Sequence, residues 1–66
     1  MTESPAEQAL AGRIARKALS DVRAGQPVDS AVAKRGPDAS MLVASLAAGM
    51  VRSVLRGECT EVDLPL

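Results

Sequence analysis

Apolar side chains recur along the first third of the chain at helical spacing. Leu10, Ala11, Ile14, Ala15, Ala18, Leu19 and Val22 share one side, and Arg13, Arg16, Lys17, Ser20 and Arg23 share the other. This pattern predicts an amphipathic helix. Its start is written in Ser4-Pro5-Ala6-Glu7: Ser4 caps, Pro5 takes the first helical position, and Glu7 closes a capping box. Its end is expected near Ala24, with Gly25 at the stop and Pro27 beyond. A short second helix follows from Ser30 to about Arg35, capped by Asp29 and anchored by Val28 and Val32. Gly36-Pro37 ends it.

The next segment is the most apolar of the chain. From Ala39 to Val51, 13 residues carry no charge. A third helix is predicted from Pro37 to Arg56, started by Gly36 or Asp38 and stopped by Gly57. Arg52 and Arg56 sit near its C-terminal end, where the helix dipole favours cations. Projection at about 100° per residue gives two apolar stripes. Leu42, Val43, Leu46, Met50 and Val54 form one, and Ala44, Ala48, Val51 and Leu55 form the other. Ser45, Gly49, Arg52 and Arg56 make a narrow polar strip. A surface helix shows a single stripe, whereas one that is apolar nearly all round has to be covered. The first helix covers one stripe, and a second copy of the chain is the expected cover for the other. Leu42, Val43, Leu46, Met50, Val51, Val54 and Leu55 are therefore the candidate dimer or partner interface.

After Gly57 the pattern changes from helical to alternating. Val62, Leu64 and Leu66 alternate with Glu61, Asp63 and Pro65, the signature of a strand or of a peptide laid in a groove. Pro65 argues against a central strand, and no second strand candidate exists to pair with it. The expected fold is all-α: two main helices packed as an antiparallel hairpin, a short connecting helix and an extended C-terminal tail. Residues 1–4 form a disordered N-terminus, 5–57 the helical domain and 58–66 the acidic tail.

Composition turns this outline toward assembly. The 66 residues make one domain, and chains this short bury little of their surface. There is no aromatic residue and no His, and Cys59 is the single cysteine. An internal disulfide and a zinc site of the usual nitrogen and sulfur ligands are thereby excluded, and no metal or other cofactor is expected. Small domains without such staples rely on partners or on close helix packing. A homodimer is the expected state.

The formal net charge of 0 exerts no global pull toward nucleic acid or anionic membranes. The 13-residue uncharged run is shorter than the roughly 20 residues a membrane span needs. The N-terminus, Met1-Thr2-Glu3-Ser4-Pro5, is acidic and lacks the apolar stretch of a secretory signal. A cytoplasmic chain with a reduced thiol is expected, and the richness in Ala, Val, Arg and Gly suggests a bacterial or phage source.

Candidate chemistry is sparse. No glycine-rich phosphate loop is present, and the remaining Ser–Lys, Cys–acid and acid–acid pairs have no motif around them. Cys59 stands beside Glu58 and near Glu61, and negative neighbours disfavour a reactive thiolate. The reading is therefore not an enzyme. Asp29-Ser30 is similar to the attachment site of acyl carrier proteins, but a basic segment follows it, and Asp29 is read as a cap.

Residues 29–46 look like a helix-turn-helix in outline, which implies a DNA-binding regulator. A reading helix offers polar groups to base edges. The early positions here are Asp38, Ala39, Ser40, Met41 and Ala44, so nucleic acid is the less favoured partner. Arg13, Arg16, Lys17 and Arg23 form a basic face suited to an anionic partner. Its alternatives are a solvated surface or pairing with the acidic tail.

The hexapeptide Glu61-Val62-Asp63-Leu64-Pro65-Leu66 resembles the motif by which bacterial polymerases and replication regulators bind the sliding clamp. In that motif Gln usually stands where this chain has Glu61, and Leu where it has Val62. The resemblance implies a replication modulator that docks through Val62, Asp63, Leu64 and Leu66. The same residues could instead fold back over the helices. The favoured function is a small interaction or regulatory protein that binds itself and an unidentified protein partner through the apolar third helix or the tail.

Overall fold

Pro5 opens helix α1 (Pro5–Arg23), where a fixed φ and a missing amide hydrogen suit the first turn. The computed structural model describes residues 5–60. Ser4 and the segment from residue 61 onward lie outside the described residues. Two further helices follow, α2 (Val28–Arg35) and α3 (Met41–Leu55), and no strand occurs among the described residues. The expected all-α class holds.

Both long helices end on the same device. Gly25 has φ +108° and Gly57 has φ +79°. At the end of α1 the Gly25 amide donates to the Val22 carbonyl at 2.9 Å and the Gln26 amide to the Asp21 carbonyl at 3.0 Å. At the end of α3 the Gly57 amide donates to Val54 at 3.0 Å and the Glu58 amide to Ser53 at 2.9 Å. This pair of bonds, closed by a left-handed residue, satisfies carbonyls that a helix end otherwise leaves open.

The helix starts differ from expectation. The seat before α2 is taken by Pro27, at φ −62° and ψ 147°, and no side chain caps it. The Pro27 carbonyl instead accepts from the Ala31 amide at 2.9 Å. Asp29 therefore lies inside the first turn and does not cap. Its carboxylate accepts from Arg52 Nη2 of α3 at 3.1 Å. Gly36-Pro37-Asp38-Ala39 forms a tight turn, with the Ala39 amide donating to the Gly36 carbonyl at 3.1 Å. Pro37 suits the second position of such a turn as well as it suits a helix start. Neither Gly36 nor Asp38 caps α3. Ser40 does, at φ −65° and ψ 163°, with its Oγ accepting from the Val43 amide at 3.2 Å. The third helix is thus shorter at its start than the pattern predicted.

The three helices meet around one core, each touching the other two. Ala11, Ile14, Ala15, Ala18 and Leu19 come from α1, Ala31 and Val32 from α2, and Val43, Ala47, Ala48 and Val51 from α3. Leu19 and Val51 are the largest side chains sealed completely. Alanine at six of these eleven positions lets the helices approach closely but buries little apolar area per residue. Cys59 returns after α3 to pack half-buried against this core.

Two ion pairs pin α2 in place. Arg35 sets its guanidinium fork on Asp21 of α1, Nε to Oδ2 at 2.7 Å and Nη2 to Oδ1 at 2.9 Å. Arg52 of α3 holds Asp29 at the other end of α2.

Candidate interaction surfaces

The buried arc of α3 does not follow either predicted stripe. It runs between them, along Val43, Ala47 and Val51, with Ala48 at one edge. Ala47 is fully buried although neither stripe contains it. The reason is angular: positions 43, 47 and 51 drift by only about 40° per step, and the small alanine admits α1 at close range. Val43 and Val51 are consequently sealed within the chain's own core. This corrects their assignment to a partner interface.

The remaining members of that set line the margins of the arc. Leu42 keeps 47 % of its surface exposed and Leu55 keeps 48 %. Leu46, Met50 and Val54 are half-buried against the core. Leu42, Leu46 and Met50 rise along one margin at spacing of four and form a continuous apolar flank. Leu55 stands on the opposite margin. Met41, 88 % exposed at the first turn, was not anticipated. It follows from α3 starting at Ser40, which turns Met41 away from the core.

The basic face of α1 divides in two. Arg13 and Lys17 are exposed and lie on one flank, whereas half-buried Arg16 and exposed Arg23 lie roughly 100° around the helix. The Arg16 Nε is enclosed. Arg13 and Lys17 rim an open groove of about 290 Å³ between α1 and the α2–α3 turn. Its floor is apolar, built from Leu10, Ile14, Pro37 and Ala39, and Arg35 and Asp38 complete the wall. Leu10 was expected in the core but is 42 % exposed, where it lines this open groove. Sequence reasoning missed this groove. The signal lay in Gly36-Pro37, whose tight turn brings residues 35–39 against α1.

Electrostatics inside the molecule are local. The Arg35 hydrogen bond holds the Asp21 carboxyl below its ordinary range, against partial desolvation, with Arg35 and Lys34 charges assisting. The same bond raises Arg35. The Arg56 guanidinium likewise lowers Glu58 through hydrogen bonds of 3.0 and 3.1 Å. A second open groove, about 270 Å³, separates α2 from α3 beside the Asp29–Arg52 pair. Small side chains, Ala33, Ala44, Ser45 and Ala48, line much of it.

Among the described residues no three His, Cys, Asp or Glu side chains gather into a metal-binding group. No helix among them is long and apolar enough to cross a membrane. The tail residues Val62, Asp63, Leu64 and Leu66 lie outside the described residues. No protein-family model matches the chain, and neither does any curated protein or solved structure. The described surface therefore offers an apolar flank along one margin of α3, Leu55 on the other margin, and a basic-rimmed apolar groove.

Proposed function

We propose that this protein is a small non-enzymatic interaction protein that acts as a homodimer and regulates by binding a macromolecular partner. The observation that carries the reading is the apolar flank of α3. Leu42 is half exposed, and Leu46 and Met50 are half-buried beside it, in a chain whose own core is mostly alanine and valine. Covering such a flank with a second copy removes apolar surface from water at roughly 25 cal/mol per Å². A molecule this small has little other apolar surface to add. In this reading α1 and α3 are the principal helices, α2 is the connector, and residues 58–66 are an extended acidic tail available to a protein partner.

The charge and polarity of α3 favour protein over DNA as that partner. The exposed positions of its first turns are Met41, Leu42 and Ser45, and two of these are apolar. Base edges call for hydrogen-bonding side chains at such positions.

Light scattering on the full chain tests the dimer. At tens of micromolar the protein is expected to have twice the monomer mass. Leu42→Glu should reduce it to the monomer while its helical circular dichroism is unchanged, because Leu42 contributes little to the core. A wild-type protein that stays monomeric at that concentration overturns the reading.

A further inference from the structure

We propose that the groove between α1 and the α2–α3 turn is an acceptor for the acidic segment 61–66 of a second copy, so that the two chains exchange tails. The inference deepens the homodimer reading and rests on it. The groove supplies the recognition chemistry. Its floor is apolar, through Leu10, Ile14, Pro37 and Ala39, and its rim carries Arg13 and Lys17. Neither rim cation has an ion pair among the described residues. Arg35 is neutralised by Asp21, and Asp38 is the one acid on the wall. Such a site selects a peptide that alternates apolar and acidic side chains. The segment Glu61-Val62-Asp63-Leu64-Pro65-Leu66 has that alternation, with Glu61 and Asp63 to meet Arg13 and Lys17. Glu58 is already committed to Arg56.

Reach decides between the same copy and another. The groove abuts the turn just before α3, whereas the tail departs after α3. The 15 residues of α3 separate those ends by roughly 22 Å. Six extended residues span at most about 20 to 22 Å. Within one molecule much of the segment would be spent in crossing toward the groove, so only part of it could lie along the floor. In a second copy the starting point of the segment is set by the dimer and not by α3, and two-fold symmetry fills both grooves at once.

Charge reversal tests this by sedimentation velocity at physiological salt, where exposed charges beyond about 8 Å are screened. One variant reverses the groove, Arg13→Glu with Lys17→Glu. A second reverses the tail, Glu61→Lys with Asp63→Lys. Arg13 and Lys17 are exposed, and circular dichroism checks that each variant keeps its helices. Each variant alone should dimerise about tenfold more weakly than wild type, since two attractions become repulsions at each of two sites. An equimolar mixture should recover wild-type affinity. In the mixed pair the reversed groove meets the reversed tail, and the normal groove meets the normal tail.

Net charge alone must not explain the recovery. The groove variant carries −4, from 0 with two cations replaced by two anions. A control with the same change elsewhere, Arg23→Glu with Lys34→Glu, should not rescue the tail variant. The inference is overturned if either reversal leaves dimerisation unchanged or if the control rescues equally. It is also overturned if the mixture fails while a single chain carrying all four changes recovers, which would place the tail in its own groove. A wild-type monomer would instead remove the dimer reading itself, a result distinct from each of these.

Discussion

Gly36 owes its place to closeness rather than to backbone freedom. Its φ of −134° is open to any residue. A methyl group added there would stand 2.6 Å from Ile14 Cδ1 and 3.1 Å from Cγ1. Ile14 Cδ1 is the far end of the side chain and borders the open groove, but Cγ1 lies nearer the backbone of a buried residue and can give way less. Gly36→Ala is therefore expected to cost about 1 to 2 kcal/mol, the range of core overpacking. Ile14→Val removes Cδ1, the nearer atom, and by itself costs about 1 kcal/mol. In the Ile14→Val background the alanine should cost about 1 kcal/mol less than in wild type, because contacting residues couple. Chemical denaturation of the four proteins measures this cycle. Strict additivity would show that the close approach between the turn and α1 is absent. The contact also holds the floor of the basic-rimmed groove, where both residues lie.

At the scale of elements, the Asp21–Arg35 fork is the tie between α1 and α2. Asp21 keeps 14 % of its side-chain surface exposed, and its carboxyl titrates below the ordinary value of 3.8. Below that value the unfolded chain binds a proton that the folded chain resists. Stability from this pair is therefore present above pH 3.8 and is lost as the pH falls through the lower folded value. Melting temperature should decline on acidification below about pH 4, and Asp21→Asn should flatten that decline relative to wild type. An unchanged acid slope in the variant would show that the fork contributes nothing to the linkage.

The same scale shows what could be read from the chain. The stops were legible because Gly25 and Gly57 are the sole glycines at the ends of strongly periodic segments, and a left-handed closure requires that residue type. The starts were less legible. Asp29 loses the seat before α2 to Pro27, and before α3 Asp38 and Ser40 are both competent caps, the choice between them depending on where the turn at Gly36-Pro37 places the chain. Sequence periodicity also located the apolar wealth of α3 but not its buried arc. Both predicted stripes were apolar, and only the position of α1 decides that Ala47, between them, faces the core. For the groove, Gly36-Pro37 signals the turn, but the face of α1 that the turn meets is not encoded by any local pattern.

For the whole molecule, the question is how a chain with a core of alanine and valine, and without an aromatic side chain, remains folded. Among the described residues, core positions sealed completely by anything larger than alanine are limited to Leu19 and Val51, and a large-to-small change at either removes a substantial share of the interior. If self-association adds to what a marginal monomer core supplies, folding and dimerisation are linked equilibria, and the monomer is folded but less stable. Stability then depends on protein concentration. For a pair of chains this size the melting temperature should rise by about 5 °C for each tenfold increase in concentration. Leu42→Glu should abolish the dependence and melt at the low-concentration limit of the wild type. A wild-type melting temperature that is constant over two decades of concentration would mean that the alanine-rich core suffices alone. In that case the flank of Leu42, Leu46 and Met50 would be left for a different protein. The experiment thus separates a flank that is needed for folding from one that is kept open for a partner.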